Sequence, residues 1–265
     1  EENCRLGAQL TGIDAGGALN FADGSTAAYD AVIAADGLRS VVRDALFDAE
    51  RPQFSGHVAW RALIDAARLG EGYVQRRNTN HVGPGCNFVT YPVRGTQLVN
   101  MVMLTRSAEW AEESWSAKGD PAALSAHFGG WCSHVEQAIA AIGEGELYRW
   151  GLFIRKPLER WVSGKVAMLG DAAHPMLPYM GQGASSAIED GVVLGRAFAA
   201  AADPAKALAL YAEPRVPRTS FHQAESNLGG DRLQALDPYV LRDSPMQNVD
   251  TLGIFSYDPA SVPLC

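Results

Sequence analysis

The chain has 265 residues, 47% hydrophobic and 20% charged, a composition typical of globular proteins and unlike that of disordered or fibrous chains. Its 22 Lys and Arg are outnumbered by 30 Asp and Glu, and the net charge of −8 argues against a nucleic-acid partner. The Ala-rich stretch Ala197–Ala202 is too short to span a membrane, and the four cysteines show no metal-binding spacing, so we expect a reduced, cytoplasmic chain without a metal site.

Short strands separated by turns are predicted at the start of the chain. Gln9–Asp14 and Ala18–Phe21 flank a pair of glycines, a pattern that predicts a β-hairpin. The apolar run Ala31–Ala35 has the length of a buried strand, and Asp36-Gly37 ends it. Ser40 is then predicted to cap the N-terminus of a short helix.

The middle of the chain changes to strands separated by Gly and Pro, which favours an antiparallel sheet over alternating strands and helices. The predicted strands are Val58–Ile64, Tyr73–Arg77, Phe88–Tyr91 and Gln97–Leu104. Two helices over Pro121–Phe128 and Cys132–Ile142 are predicted next, and a strand over Arg149–Ile154 follows them.

A second buried-strand run, Val166–Leu169, leads into a segment rich in Gly and Pro. A helix is predicted after it, over about Ala184–Ala202. Another helix is predicted from Pro204, with Pro214 and Pro217 expected to kink or break it. The last thirty residues hold scattered apolar groups that predict no definite fold.

The strongest chemical signal is Gly170-Asp-Ala-Ala-His174 with the Gly-rich turn that follows it. A buried strand delivers Asp171 to its carboxyl end, where ligands bind in α/β sheets, and the small Ala172 lets a ligand approach the backbone. Gly181 and Gly183 place backbone N–H groups at the start of the next helix, whose partial charge of about +0.5 e stabilises an anionic group. The residues alone leave open a plain strand–turn–helix in which Asp171 is only a cap.

A second motif, Asp36-Gly37-Leu-Arg-Ser40-Val-Val-Arg43, follows the strand predicted near the start of the chain. By itself, Asp-Gly after an apolar strand is explained by an ordinary type I′ or type II turn. The motif gains weight because it precedes the Gly170–His174 motif in the order found in one family of flavoproteins.

The two motifs resemble those of the single-component flavoprotein aromatic hydroxylases, the para-hydroxybenzoate hydroxylase superfamily, and of its salicylate and 6-hydroxynicotinate monooxygenase-like branch. The resemblance covers nearly the whole chain, including His57-Val-Ala-Trp-Arg61 and Trp161-Val-Ser-Gly-Lys165. It implies an α/β fold: a partial, Rossmann-like FAD/NAD(P)-binding domain with an inserted antiparallel-sheet substrate domain. It also implies a division into residues 1–50 and 155–230 for FAD binding, 51–154 for the substrate and 231–265 as a C-terminal tail.

By this resemblance, Asp171 hydrogen-bonds the ribityl hydroxyls of FAD, and the backbone amides near Gln182 stabilise negative charge at the N1/O2 edge of the flavin. The Asp36 motif contacts the pyrophosphate side and is linked to nicotinamide use. The implied cofactor-binding residues are Asp36, Gly37, Arg43, Gly170, Asp171, Ala172, Gly181, Gln182, Gly183 and Ala184. Pro178 and Tyr179 are expected to line the substrate pocket.

The resemblance implies an FAD-dependent monooxygenase. NAD(P)H reduces the flavin, O2 adds at C4a, and the hydroperoxide hydroxylates a small aromatic or N-heteroaromatic acid. By the same resemblance Asn87 and Tyr91 are the candidate catalytic residues; they are four apart on a predicted strand, so their side chains share a face. Several relatives carry His where Asn87 stands; Asn cannot act as a base, so proton removal differs or the substrate is not a phenol. The cofactors are thus FAD and NAD(P)H, and a homodimer is compatible with the resemblance.

Members of this family open with a strand and a G-x-G-x-x-G turn that binds the ADP half of FAD. The sequence lacks that motif, since Gly181-Gln-Gly183-Ala-Ser-Ser186 has no third glycine. We therefore expect the chain to be a fragment of a longer enzyme, or to be completed by another chain. Two alternatives stay open: a non-catalytic flavin-fold binding or scaffold protein, and a related flavin epoxidase or halogenase.

Overall fold

The computed structural model describes residues 4–47, 50–70, 72–74, 77–108, 110, 117–243 and 252–264. The chain divides into two compact units. The first unit comprises Glu1–Gln53, Ile154–Leu228 and Met246–Cys265, and the second comprises Phe54–Phe153 and Gly229–Pro245. The segment 231–265, expected as one tail, is therefore divided between the two units.

The described residues form an α/β structure of eleven strands and six α-helices. In chain order the strands are β1 Leu10–Ile13, β2 Ala18–Phe21, β3 Thr26–Ala28, β4 Val32–Ala34, β5 Gln53–Asp65, β6 Thr79–Gly83, β7 Cys86–Val93, β8 Leu98–Arg106, β9 Tyr148–Ile154, β10 Val162–Ser163 and β11 Val166–Met168. The helices are α1 Val41–Leu46, α2 Pro121–Phe128, α3 Ser133–Ala140, α4 Gly183–Ala200, α5 Pro204–Leu233 and α6 Tyr239–Asp243.

The first unit contains two small sheets around one hydrophobic core. Strands β1, β2 and β3 pair as an antiparallel meander, and β10, β11 and β4 form a second sheet in that order. The pair β11–β4 is parallel, whereas β10–β11 is antiparallel. The core beside this sheet contains Trp161, Met168, Val193 and Tyr211, which brings α4 and α5 against β11.

The second unit is built on a five-stranded sheet with the order β6–β7–β8–β5–β9. The pairs β6–β7, β7–β8 and β5–β8 are antiparallel, as the sequence predicts. Alternate side chains such as Trp60, Phe88 and Met101 form a buried face with Phe128 of α2 and Val135 of α3. The two units thus have separate hydrophobic cores.

Two sequence predictions about individual elements were wrong. Tyr73, Val74 and Arg77 are not in a strand, although Tyr73–Arg77 was predicted as one; Gln75 and Arg76 lie outside the described residues. The edge strand β6 begins only at Thr79, where its residues pair with β7. Local β-propensity identified a strand here but placed it too early, because its position depends on its partner strand.

The second difference concerns the kink or break predicted at Pro214 and Pro217: α5 continues through both prolines, so the break is absent. Its buried residues keep helical spacing across both prolines: Tyr211, Arg215, Thr219, His222 and Ser226. Packing of this continuous stripe outweighs the cost of the prolines, so tertiary contacts override a local signal. In the part of the chain with described coordinates, no helix is both long and apolar enough to cross a membrane.

Candidate functional site

The two motifs singled out in the sequence meet at one edge of the β10–β11–β4 sheet. Ala34 of β4 lies opposite Met168 of the parallel strand β11, and the Leu169 amide donates to the Ala34 carbonyl at 2.9 Å. The carboxyl ends of neighbouring parallel strands meet at the same edge of a sheet. Asp36-Gly37 and Gly170-Asp171 therefore emerge side by side.

The Gly170–His174 segment turns sharply as it leaves β11. Gly170 has a φ of +61°, which favours glycine, and its carbonyl accepts a hydrogen bond from the His174 amide at 2.9 Å. Ala172 is fully buried, whereas Asp171 is exposed. The turn thus holds its small residues inside the unit and presents the Asp171 carboxyl at the surface.

The environment of Asp171 raises the pKa of its carboxyl. Surrounding protein atoms displace part of its hydration, which favours the neutral form, and the nearby His174 opposes this shift. A partly desolvated carboxyl forms strong hydrogen bonds to ligand hydroxyls, because less water competes for them. Asp171 is therefore suited to bind a hydroxyl-rich ligand.

The Gly-rich turn begins with a 3₁₀ turn over Pro178–Met180. Pro178 is exposed and Tyr179 is half-buried. Gly181 closes the turn in the left-handed conformation, with a φ of +65°, and its amide donates to the Pro178 carbonyl at 3.0 Å. No atom lies within 4 Å of the point where a Cβ would stand on Gly181, so a ligand has room there.

Helix α4 starts directly after this turn, at Gly183, one residue before the predicted start. Gln182 is its N-cap residue, and the Gln182 side-chain amide donates to the Met180 carbonyl at 3.2 Å. The first amides of a helix have no acceptor within the helix. The N–H groups of Gly183 and Ala184 can therefore bind an anionic group at the N-terminus of α4.

The Asp36 motif forms a matching turn after β4. The Asp36 carboxylate accepts a hydrogen bond from the Val42 amide at 3.3 Å, and Ser40 caps α1 by accepting from the Arg43 amide at 2.8 Å. Gly37 has a φ of +79° with open space beside its Cα. This glycine lets the chain turn back into α1 and leaves a second open position at the sheet edge.

The side chain of Arg43 lies inside the first unit. It is 2% exposed, and its guanidinium donates to the carbonyls of Ala172 and Ala173, at 3.2 and 2.8 Å, and of Lys156 at 2.8 Å. Burial, and then the charge of Arg155, lower its pKa to about 10. Arg43 was expected to bind the cofactor; in the structure it ties α1 to the Gly170–His174 turn and so positions the two motifs.

The residues at this sheet edge fit an extended cofactor with hydroxyl and anionic parts, as FAD has. Gly37 and Gly181 leave open space, Asp171 offers a hydrogen-bonding carboxyl, and α4 offers free amides. Within the described ranges, no three His, Cys, Asp or Glu side chains gather as metal ligands.

A group of buried charged side chains, which the sequence did not predict, contacts the Gly170–His174 turn. Asp190 of α4, fully buried, accepts hydrogen bonds from the Gly170 amide at 3.1 Å and from Arg215 Nε at 2.7 Å. Its Oδ2 also lies 2.6 Å from Nε2 of His174. Asp190 therefore holds both ends of the Gly170–His174 turn.

The group extends from Asp190 to the C-terminal segment. Glu189 accepts from Arg215 at 2.7 Å and from two nitrogens of Arg218, each at 2.8 Å. The Arg218 guanidinium lies 3.8 Å from the ring centroid of Tyr257. Adjacent acids on α4 and arginines one turn apart on α5 were visible in the sequence, but only the fold shows that they face each other.

The buried pair Asp190–Arg215 is charged. Burial alone would raise the pKa of Asp190, but the hydrogen bond from His174 and the charge of Arg215 outweigh it, and the pKa is lowered. Burial likewise disfavours the charge of Arg215, yet Asp190 raises its pKa. Ionic pairing thus compensates desolvation on both sides, as a buried charge requires.

Asn87 and Tyr91 lie in the second unit, on β7, whereas the other predicted site residues lie in the first. They occupy the face of the sheet opposite to Phe88, since side chains alternate along a strand. Asn87 is 1% exposed; its amide nitrogen donates to the Asn80 side chain at 3.3 Å, and its Oδ1 has no hydrogen-bond partner among the residues that the structure describes. Tyr91 is half-buried and pairs with Asn100 of β8.

Comparison with known families and curated proteins gives consistent matches. The family model described as "FAD binding domain" matches residues 22–221. The chain is 37% identical over 242 residues to 3-amino-4-hydroxybenzoate 2-monooxygenase PtnB3 of Streptomyces platensis, covering 90% of this chain and 60% of that protein. It is 36% identical over 199 residues to 3-hydroxybenzoate 6-hydroxylase of Klebsiella oxytoca, covering 74% of this chain and 49% of the relative. The chain thus spans about half to three-fifths of the length of these relatives.

Solved structures support the same fold. A salicylate hydroxylase in a substrate complex superimposes with a TM-score of 0.77 at 27% identity, covering 95% of this chain and 67% of that one. HpxO of Klebsiella pneumoniae, complexed with FAD and uric acid, matches with a TM-score of 0.77 at 32% identity, covering 89% of this chain and 60% of that one. These likenesses confirm the predicted fold class.

Proposed function

The chain belongs to the FAD-binding family of flavoprotein aromatic hydroxylases, and from this premise we propose that it carries the flavin-facing and substrate-facing parts of an FAD-dependent monooxygenase. The enzyme hydroxylates a small aromatic or N-heteroaromatic acid with NAD(P)H and O2. Epoxidation is a less favoured chemistry, since the relatives compared above are named as monooxygenases and hydroxylases.

The observation that carries this proposal is the parallel pairing of β4 with β11. It brings Asp36-Gly37 and Gly170-Asp171 to one sheet edge, and helix α4 starts from the Gly-rich turn that follows the second motif. A plain strand–turn–helix needs neither the second motif nor the open space at Gly37 and Gly181. The combination is suited to an extended ligand.

Each of these groups has a proposed part in binding. FAD, when bound, would supply the reduction of O2 and the transfer of one oxygen atom. The Asp171 carboxyl would accept hydrogen bonds from its ribityl hydroxyls. The amides of Gly183 and Ala184, at the positive end of α4, would stabilise negative charge on its ring. Arg43 and Asp190 hold the Gly170–His174 turn in place.

On the substrate side, we propose that Asn87 and Tyr91 contact the aromatic ring's substituents. The unpartnered Oδ1 of buried Asn87 can accept a hydrogen bond, so it selects a substituent that donates one, such as a hydroxyl or amino group. Both names of the relatives above include hydroxybenzoate, and one also includes an amino group. Asn87 positions such a group but cannot deprotonate it. Pro178 and Tyr179 are proposed as further pocket residues.

The test is a flavin and turnover assay on the full-length gene product. We expect the purified protein to show the visible absorbance bands of bound flavin. The rate of NAD(P)H oxidation should increase when a hydroxy- or aminobenzoate is added. Mass spectrometry should find one added oxygen atom in the product, derived from labelled O2. Bound flavin without any hydroxylated product would support the non-catalytic alternative, and an absence of bound flavin would contradict both.

Two further properties belong to the same proposal. The enzyme acts in the cytoplasm, where NAD(P)H is supplied, and it forms a homodimer. Analytical ultracentrifugation of the purified protein tests the dimer directly. A single monomeric species at micromolar concentration would contradict it without affecting the proposed chemistry.

A further inference from the structure

A cavity of about 230 Å³ lies within the second unit, beside the edge strand β6 and its neighbour β7. This volume is below the roughly 300–1,000 Å³ of pockets that hold drug-sized ligands, so the cavity suits a single ring. Its lining is part aromatic and part polar: Tyr73, Val74, Arg77, Thr79, His81, Thr90, Tyr91, Pro92, Val99 and His134. None of the sequence motifs predicted it.

The cavity lies on the other face of the sheet from the Asn87 and Tyr91 side chains. Thr79 pairs with Thr90 and His81 pairs with Phe88, and Phe88 is part of the buried face covered by α2 and α3. Because side chains alternate, Thr90 and Phe88 face away from Asn87. Tyr91 also borders the cavity, one residue beyond Thr90, the last residue of β7 that pairs with β6.

One wall of the cavity is a preformed stack of flat rings. Tyr73 and His134 stack with centroids 3.9 Å apart and an interplanar angle of 5°, and His81 stacks on His134 at 5.1 Å and 30°. The Tyr73 hydroxyl donates to the backbone carbonyl of His134 at 3.1 Å, which fixes the ring. Because His134 lies between the other two rings, a flat ligand ring can pack only against the outer faces or the edges of this stack, without reorganising it.

The charge of the cavity is set by Arg77, the one Lys, Arg, Asp or Glu among its described lining residues. Burial lowers the pKa of both His81 and His134, so both imidazoles are neutral at pH 7. The hydroxyls of Thr79 and Thr90 add neutral hydrogen-bonding groups. The site therefore combines neutral, flat rings with a single guanidinium. The rings suit an aromatic ligand, and the guanidinium suits one carboxylate on that ligand.

We propose that this cavity is a second ligand site, on the face of the sheet opposite to the Asn87 side chain, which takes a single-ring aromatic carboxylate. The ring packs against the stack of Tyr73, His134 and His81, and the carboxylate pairs with Arg77. The site does not depend on the proposed oxygenase activity, because all of its lining residues belong to the second unit. Among the described lining residues none is a proposed cofactor-binding residue, and Tyr91 is the one proposed substrate-contacting residue.

The test is a titration of the full chain with benzoate, followed by the ring NMR signals of His81 and His134. We expect saturable shifts of both histidines, since they line the cavity. Arg77→Gln should weaken binding at least tenfold, and the exposed Arg51→Gln, with the same charge change, should leave it unaltered. Cyclohexanecarboxylate, which lacks a flat ring, and benzamide, which lacks the charge, should each bind at least tenfold more weakly.

Three outcomes would overturn the proposal. Equal weakening by Arg51→Gln and Arg77→Gln would mean non-specific attraction. Loss of the histidine shifts in Asn87→Ser would mean that benzoate binds on the opposite face. Tight binding of Zn²⁺ to the two histidines with no response to benzoate would make the cavity a metal site. A full-length protein that shows no oxygenase activity but retains these shifts would contradict only the proposed function.

Discussion

Asp171 and Asp190 are two carboxylates of one site whose pKa values move in opposite directions. Asp171 is exposed and its pKa is raised, whereas Asp190 is fully buried and its pKa is lowered. The difference comes from their partners. Asp190 pairs with Arg215 and His174, while Asp171 has no cation bonded to it among the described contacts. Asp190 holds the turn, and Asp171 is available to a ligand.

Asp171→Ala should weaken FAD binding at least tenfold. The substitution removes a charged acceptor of ribityl hydrogen bonds, and such bonds contribute about 1.5–3 kcal/mol. Flavin fluorescence during dialysis of the full-length protein measures the affinity. Asp203→Asn, at a cap of α5, serves as the control and should bind FAD normally. An Asp171→Ala protein with unchanged affinity would remove Asp171 from the proposed site.

At the scale of single elements, the start of α4 has two separable effects. Ala184 is exposed in the first turn of the helix. The substitution Ala184→Asp should stabilise the fold by about 0.3–1 kcal/mol, because its carboxylate interacts with the helix dipole. The same carboxylate should lower both FAD affinity and the flavin reduction potential, because it repels negative charge on the reduced ring. Melting temperature and a redox titration measure the two effects.

The matched control is Ala205→Asp in the first turn of α5, where Asp also faces a helix N-terminus but no predicted site. It should stabilise the fold without changing the flavin potential. If both variants shift the potential equally, the effect arises from overall charge and the position of α4 has no special role.

The packing of α4 against α5 depends on the buried pair Asp190–Arg215. Asp190→Asn removes one charge and leaves Arg215 incompletely paired, so we expect the free energy of unfolding to fall by about 3–5 kcal/mol. The indole N–H of Trp161, whose ring stacks on His174 at 5.2 Å, reports on this unit by NMR during denaturation. A loss below 1 kcal/mol, similar to that of the surface control Asp203→Asn, would show that the pair contributes little.

At the scale of the whole molecule, stability should fall on mild acidification. Burial lowers the pKa of His57, His81, His134 and His222, that of His222 to about 4. The unfolded chain therefore takes up protons below pH 6.5 that the folded chain does not, so stability is complete above pH 6.5 and declines toward pH 4. Denaturation at pH 7 and pH 5 should differ by at least about 1 kcal/mol, and His222→Asn should reduce the difference. Equal stability at both pH values would contradict the lowered pKa values of these histidines.

The two compact units explain which predictions about organisation succeeded. Alternating apolar residues in β5, β7 and β8 predict an antiparallel sheet, because that pattern has a period of two and needs no distant partner. The position of β6 and the continuity of α5 were mispredicted, because pairing with β7 and packing of a buried stripe decide them. Local propensity carries no information about such partners.

The amino-acid sequence by itself determined the chemistry of the two motifs: a carboxylate after each buried strand, glycines at the turns and a helix that begins at the second turn. It determined the family as well, since those motifs resemble the flavoprotein hydroxylases. The register of β4 with β11, the inward role of Arg43 and the buried Asp190 group were decided only by tertiary structure. The physical reason is that a side chain's hydrogen-bond partners and burial depend on residues far away in the chain, which only folding brings within 3 Å.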